Sequence, residues 1–343
     1  MSHAPVLIIA EAGVNHNGDL DIARRLIDAA ARAGADAVKF QTFRADEIVT
    51  AGAQKAEYQK QASGATEPQR NESQLDMLRR LELDETAHRL LAAHCQKQGI
   101  EFLSTPFDAH SLDMLLGMGV RIIKIPSGEI TNLPYLRQAG AKGRPVILST
   151  GMATLAEIRD AVAVLEAAGT PRTAITLLHC NTQYPTPFQD ANLLAVRTLA
   201  REFPDCPAGY SDHTAGIACP IAAVALGARV IEKHFTLDQT MPGPDHAASI
   251  VPDELTAMVA AIREIELALG TGVKEPSDSE RANIGIARRY LVATRPIRRG
   301  EPFDATNVAA KRTGTGGVSP MRWDEIMGAP APRDFEPGEA IEP

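Results

Sequence analysis

Eight short apolar runs recur along this chain, most of them followed by a segment of helical periodicity. That alternation restricts the fold more than any other feature. The runs begin at Val6 (VLIIAEAG), Ala37 (AVKFQT), Glu101 (EFLSTPF), Arg121 (RIIKIPSGE), Pro145 (PVILSTG), Ala174 (AITLLHC), Ala208 (AGYSDHT) and Ala228 (ARVIEKHFT). Continuous apolar strands are covered on both faces, which points to parallel strands between helices. Eight is the number that closes a (β/α)8 TIM barrel. The intervening helices carry their own signals. Asp21 to Ala33 repeats Ile22, Leu26 and Ala29/Ala30 on one face and stops at Gly34. Thr154-Leu-Ala-Glu157 has capping-box spacing before a helix that ends near Gly169. A last helix is expected from Val251 to Gly270.

Two segments depart from the pattern. From about Phe43 to Asp84 the chain is long, polar and punctuated, and reads as a structureless βα loop that covers an active site. After Gly270 a polar stretch suited to a linker leads into a Gly- and Pro-rich tail with short apolar pieces, the signature of a small, mostly β module. The expected division is therefore a barrel over 1–272, a linker over 273–287 and a terminal domain over 288–343.

Composition excludes several classes of function. Acids outnumber bases 43 to 35, for a formal charge of −8, which argues against a nucleic-acid partner held by a basic surface. Cys95, Cys180, Cys206 and Cys219 form no CxxC pair, which fits a reducing compartment. The first residues lack the basic flank and apolar core of a signal peptide, and no apolar run approaches the roughly 18 residues a membrane span needs. A cytoplasmic protein with no membrane contact is expected.

Catalytic side chains of a barrel gather at the C-terminal ends of its strands. Here those ends carry Glu11; Lys39 and Gln41; Ser104 and Thr105; Lys124, Ser127 and Glu129; Ser149 and Thr150; Asn181 to Tyr184; Ser211, Asp212 and His213; and Glu232, Lys233 and His234. His213 and His234 end adjacent strands, so two neutral imidazoles can converge on one divalent ion, with Glu11 and Asp245 in reach. Either histidine alone reads equally as a hydrogen-bonded core residue. Two histidines with oxygen ligands suit manganese better than a closed zinc site. Lys39 and Lys124 allow three readings: a salt bridge to a barrel carboxylate, a Schiff-base lysine, or a pair of fixed charges holding phosphate and carboxylate. The hydroxyls of Ser104, Thr105, Ser127, Ser149 and Thr150 favour the anion cradle. Glu129 and Glu11 are candidates for general acid or base, with a structural carboxylate as the alternative.

The ordered motifs IIAEAGVNHNGD, AVKFQ, FLSTPFD, KIPSGEITNLPYL, ILSTGMA, HCNTQYPTP, GYSDHT, IEKHFT and GPDHAAS resemble those of the bacterial sialic acid synthase family. The tail from about Arg288 resembles that family's antifreeze-like (SAF) domain. The resemblance implies condensation of phosphoenolpyruvate with an open-chain N-acylated hexosamine, giving a nine-carbon 2-keto sugar acid and phosphate. It implies that Lys39, Lys124, Thr105, Ser127, Ser149 and Ser211 hold phosphoenolpyruvate, and that Glu129 handles the water or proton at C2. It implies that Glu11, Gln41, Tyr184 and Asp245 orient the sugar, with Asn71 a looser match. His213 and His234 would hold Mn2+, with Mg2+ or Co2+ as alternatives. Arg312 matches an arginine that reaches a partner subunit's site in a domain-swapped homodimer. The segment Asn181-Thr182-Gln183-Tyr184 departs from the neuraminate pattern, and Thr182 and Gln183 are expected to face the sugar. The motifs look closer to the legionaminic acid synthases, whose acceptor is 2,4-diacetamido-2,4,6-trideoxymannose. N-acetylmannosamine as acceptor is the alternative, and a Schiff-base pyruvate aldolase the remoter one.

Overall fold

In a computed structural model, which describes residues 4–60, 67 and 71–342, the chain divides into two compact units, Met1–Thr271 and Gly272–Pro343. The first holds eight parallel strands: β1 (Leu7–Gly13), β2 (Ala37–Thr42), β3 (Glu101–Pro106), β4 (Ile123–Ile125), β5 (Val146–Ser149), β6 (Ile175–Cys180), β7 (Ala208–Asp212) and β8 (Val230–His234). They pair in the order β3-β2-β1-β8-β7-β6-β5-β4, and β3 packs beside β4 to bring the ends of the sheet together. This is the TIM-like barrel that the alternation implies.

The helices form where capping and apolar periodicity agree. Helix α1 (Leu20–Arg32) begins at Asp19, whose carboxylate accepts from the backbone N–H groups of Asp21 and Ile22, and buries Ala23, Leu26, Ile27, Ala29 and Ala30. Helix α2 (Leu155–Ala168) has the full capping box between Thr154 and Glu157 and ends at Gly169. Helix α3 (Pro252–Ala268) closes the barrel's outer ring after β8. Around the outside, one core joins the outward residues of the strands to the helices, Ile8, Val38, Ile231 and Leu26 among them. A separate core of Ile9, Ala37, Leu103, Ile147, Leu178 and Val230 fills the lumen. A barrel of eight strands has an interior just wide enough for side chains, so this layer is a solid floor.

The connection after β2 is not the structureless loop that its composition suggests. Its described residues include helices at Ala45–Ile48, Glu57–Lys60 and Gln74–Leu81. Val14, Phe43, Met77 and Leu81 bury a small core of their own, against which Ile48, Leu78 and Phe107 pack. Composition hid these helices because their apolar positions are few and spread over short turns. Residues 61–66 and 68–70 of that connection lie outside the described set.

In the second unit β9 (Tyr290–Ala293) pairs antiparallel with β10 (Val308–Lys311), and isolated bridges join Val292 to Ala340 and Ile297 to Phe335. Its core includes Leu291, Ile297, Phe303, Val308, Phe335 and Ile341. The polar segment read as a linker contains a helix, Asp278–Ala287, opened by a Ser277–Glu280 capping box. That helix buries none of its residues, which is why it lacks the apolar stripe by which a helix is recognised.

Candidate active site

Strand alternation builds the site directly on the apolar floor. Two residues beyond each floor position the same face of the strand is reached again. Ile9 leads to Glu11, Ala37 to Lys39 and Gln41, Leu103 to Thr105, Ile147 to Ser149, Leu178 to Cys180, and Val230 to Glu232 and His234. All of these second-layer residues line one cleft, together with Lys124, Ser127, Glu129, Thr182, Tyr184, Ser211, His213 and Asp245. Register fixes their neighbours: Glu11 sits opposite Lys39 on one side and His234 on the other, and Ser211 lies between Cys180 and Glu232.

The base of the cleft is a buried charge network. Lys39 Nζ lies 2.7 Å from Glu11 Oε2 and 3.6 Å from Glu232 Oε2, and donates to Thr105 Oγ1 at 2.7 Å. Lys124 Nζ lies 3.4 Å from Glu232 Oε1 and donates to Ser149 Oγ at 2.9 Å. Ser211 donates to Glu232 Oε1 at 3.0 Å. Burial alone would raise Glu232, but the ammonium groups of Lys124 and Lys39 outweigh it and hold the carboxyl at about 2. For Glu11 burial wins over Lys39, and the carboxyl is pushed up to about 7. Burial works against the charge of both lysines. The Glu11 and Glu232 carboxylates overcome it at Lys39, which is raised, and do not at Lys124, which is lowered. Both lysines are therefore paired with barrel carboxylates, and a Lys39 held charged is a poor amine nucleophile.

Above this floor sit the aromatic rings. His213 and His234 have centroids 5.4 Å apart, and Tyr184 stacks on His213 at 4.0 Å and meets His234 edge-on at 5.5 Å. Burial pushes His213 down to about 4 and His234 well below the ordinary imidazole range, so both are neutral at pH 7. His213 Nδ1 donates to the Asn181 carbonyl, which leaves the Nε2 lone pair uncommitted. His234 Nδ1 is buried without a hydrogen-bond partner, and Asp245 Oδ2 is 4.0 Å away. Burial raises Asp245 to about 6. Neutral nitrogens, one of them orphaned, fit a divalent ion. Among the described residues no three His, Cys, Asp or Glu side chains form a ready-made cage, so such an ion would take its remaining oxygens from water or substrate, as an open catalytic site does.

The turn after β4 carries the other functional candidates. Ser127 Oγ accepts from the Gly151 N–H at 3.0 Å and lies 3.2 Å from Cys180 Sγ. A Cβ on Gly151 would come within 2.8 Å of Thr182 Cγ2 and 2.9 Å of Ser127 Oγ, so a side chain here would displace those two residues of the cleft. Glu129 lines the cleft half-buried, with Asn132 Nδ2 donating to its Oε2 at 2.5 Å.

Two residues expected to face the sugar, Gln183 and Asn71, are not among those lining this cleft. Gln183 is exposed, its N–H bound to Asn181 Oδ1 and its carbonyl to Thr186. The turn that puts Thr182 into the cleft points the next side chain away. Asn71 is exposed in the β2–β3 connection, and Arg312 is exposed in the second unit. Glu232, by contrast, was visible as a strand-end residue but was assigned no role. Its signal is the spacing of two from His234, which puts both on the lumen face.

Residues 26–274 match the NeuB family, and residues 288–343 match the SAF domain. The chain belongs to the NeuB family. Among curated relatives, the NeuB-family chain is 51% identical over 335 residues to N,N'-diacetyllegionaminic acid synthase of Campylobacter jejuni, covering 98% of each chain. It is 46% identical to the enzyme of the same name from Legionella pneumophila, covering 97% of this chain and 92% of that one. A solved N-acetylneuraminic acid synthetase from Leptospira borgpetersenii superposes with a TM-score of 0.71 at 40% identity, covering 82% of this chain and 90% of that chain.

Proposed function

We propose that this NeuB-family chain condenses phosphoenolpyruvate with 2,4-diacetamido-2,4,6-trideoxymannose to give N,N'-diacetyllegionaminic acid and phosphate. The observation that carries this reading is the near-full-length match to two legionaminic acid synthases at about half identity. The chemistry of the cleft agrees with it. Two buried ammonium groups ringed by Thr105, Ser149 and Ser211 hydroxyls are a fitting cradle for an anion that carries both phosphate and carboxylate.

In this mechanism Lys39, Lys124, Thr105, Ser127, Ser149 and Ser211 hold phosphoenolpyruvate. They give up part of their present pairing with Glu11 and Glu232 when the ligand enters. Gln41, Tyr184, Thr182 and Asp245 orient the open-chain sugar so that its aldehyde carbon faces C3 of phosphoenolpyruvate. His213 and His234 would hold a divalent ion, manganese by donor type, which would supply Lewis-acid polarisation of a carbonyl oxygen. Once C3 has bonded to C1, the former aldehyde oxygen takes up a proton to become a hydroxyl. Water adds at C2 as Glu129 takes one of its protons, and the C2–O bond to phosphate breaks as the hydroxyl at C2 loses its proton and becomes the ketone. Glu11, buried beside Lys39 and Gln41, is assigned to orienting the sugar and is the second acid/base candidate. Arg312 is assigned to the acceptor site of a second copy of the chain, in a swapped homodimer, and the enzyme works in the cytoplasm.

The test is phosphate release from phosphoenolpyruvate, with and without chelator. Release on adding the diacetamido sugar, abolished by chelator and restored by Mn2+, supports the reading. Chelator-resistant turnover with a borohydride-trapped pyruvate adduct on Lys124 would instead favour a Schiff-base aldolase.

A further inference from the structure

The connection between β2 and β3 is charged along its length, with Arg44, Asp46, Glu47, Asp76, Arg79 and Arg80 among its side chains. None of those faces the main cleft. The described residues of this connection that line it are apolar or amide: Phe43, Ile48, Val49, Met77, Leu78 and Leu81, with Gln59 and Gln74. Phe43, Met77 and Leu81 are buried in the connection's own core and act as backing. Ile48, Val49 and Leu78 stay partly exposed, and Ile48 and Leu78 rest on that core. The helix Ala45–Ile48 packs against the helix Gln74–Leu81, so two separate stretches of chain join to build one wall. Opposite in character is the barrel floor, where Lys39, Lys124, Glu11 and Glu232 crowd one another. One cleft thus has an ionic end and an apolar face.

We propose that Ile48, Val49 and Leu78 are specificity residues that hold the methyl-bearing end of the acceptor sugar. This rests on the condensation proposed above. Phosphoenolpyruvate has no methyl group and matches the ionic floor. The diacetamido acceptor ends in a C6 methyl and carries two acetamide methyls, which gain by leaving water for the wall. An acceptor that ends in a hydroxymethyl group would instead lose water at that hydroxyl and meet no partner among the three side chains. A single methyl-sized difference in an apolar pocket is worth roughly 10- to 200-fold in discrimination, so the wall gives a preference rather than an absolute barrier.

Three variants test this. Val49→Thr is nearly isosteric and sets a hydroxyl in the wall, Leu78→Gln sets an amide at the second stretch of chain, and Val49→Ile keeps the wall apolar. For each, kcat/KM is measured with 2,4-diacetamido-2,4,6-trideoxymannose and with N-acetylmannosamine, along with KM for phosphoenolpyruvate and the thermal unfolding midpoint. The two polar variants are expected to lose about tenfold in kcat/KM for the diacetamido sugar, to narrow its preference over N-acetylmannosamine, and to leave KM for phosphoenolpyruvate unchanged. Val49→Ile is expected to keep the preference. If Leu78→Gln unfolds, Val49→Thr alone decides. Folded polar variants with an unchanged preference overturn the inference and leave the condensation standing. Phosphate release with neither sugar in the parent chain overturns the condensation, and the specificity assignment with it.

Discussion

His213 shows how one side chain is prepared for its role. Its Nδ1 is committed to the Asn181 carbonyl and burial keeps the ring neutral, so the free nitrogen is a lone-pair donor at pH 7. His213→Ala is expected to fold normally yet to lose stoichiometric binding of Mn2+, measured by calorimetry on chelator-stripped protein. Retained binding at parental affinity would remove His213 from the ligand set. Glu232 makes a second prediction at this scale. Its folded value of about 2 lies below the free-carboxylate value of 4.5, so its stabilising contribution is complete above about pH 4.5 and is lost as pH falls through 2. Glu232→Gln breaks a buried pairing, which costs about 3 kcal/mol at pH 7. Denaturant unfolding should show that gap from the parent closing as the pH falls from 4.5 toward 2, and a gap that stays constant with pH would contradict the assignment. Gly151→Ala pushes on Ser127 and Thr182 at once, and should raise KM for phosphoenolpyruvate severalfold. At this scale the sequence exposed which residue types crowd the strand ends, but not which pair. The Lys39–Glu11 contact depends on register between β1 and β2, which is not written in either strand alone, and the Lys124–Glu232 contact joins strands that are not neighbours in the sheet.

The elements explain why the barrel was readable and the helices of the β2–β3 connection were not. Each strand is a compact, mostly apolar run that turns polar toward its C-terminal end, and the helices carry caps such as Thr154 and Asp19, so local signals and global fold agree. The connection after β2 offers no such agreement, because its short helices are stabilised by a four-residue core that forms only when the chain returns at Met77 and Leu81. The lumen floor predicts its own sensitivity. A Cβ on Gly209 would lie 2.5 Å from Leu178 Cδ2 and 2.6 Å from the Val230 carbonyl, so β7 packs here with no room for a side chain. Gly209→Ala is expected to destabilise the protein by roughly 1–3 kcal/mol through overpacking, read as a lowered midpoint in thermal unfolding. An unchanged midpoint would mean that the floor is more yielding than its contacts imply.

For the molecule as a whole, the net charge and the site charge are separate matters. The net −8 is that of the whole chain, within which Lys39 and Lys124 are buried cations at the base of the cleft. The composition shifts after Gly270 and the chain divides into the units Met1–Thr271 and Gly272–Pro343, while the helix at Asp278–Ala287 gives no sequence signal because it presents no buried face. The proposed trans role of Arg312 belongs to this scale. Arg312→Ala should raise KM for the acceptor and leave the unfolding of the barrel unchanged, and a chain ending at Gly272 with full turnover would contradict a shared site. The most direct test of the central claim is the rate of phosphate release from phosphoenolpyruvate in the presence of Mn2+, with each acceptor in turn. Faster release with 2,4-diacetamido-2,4,6-trideoxymannose than with N-acetylmannosamine is the expected result. Release with N-acetylmannosamine alone, or with neither sugar, would contradict it.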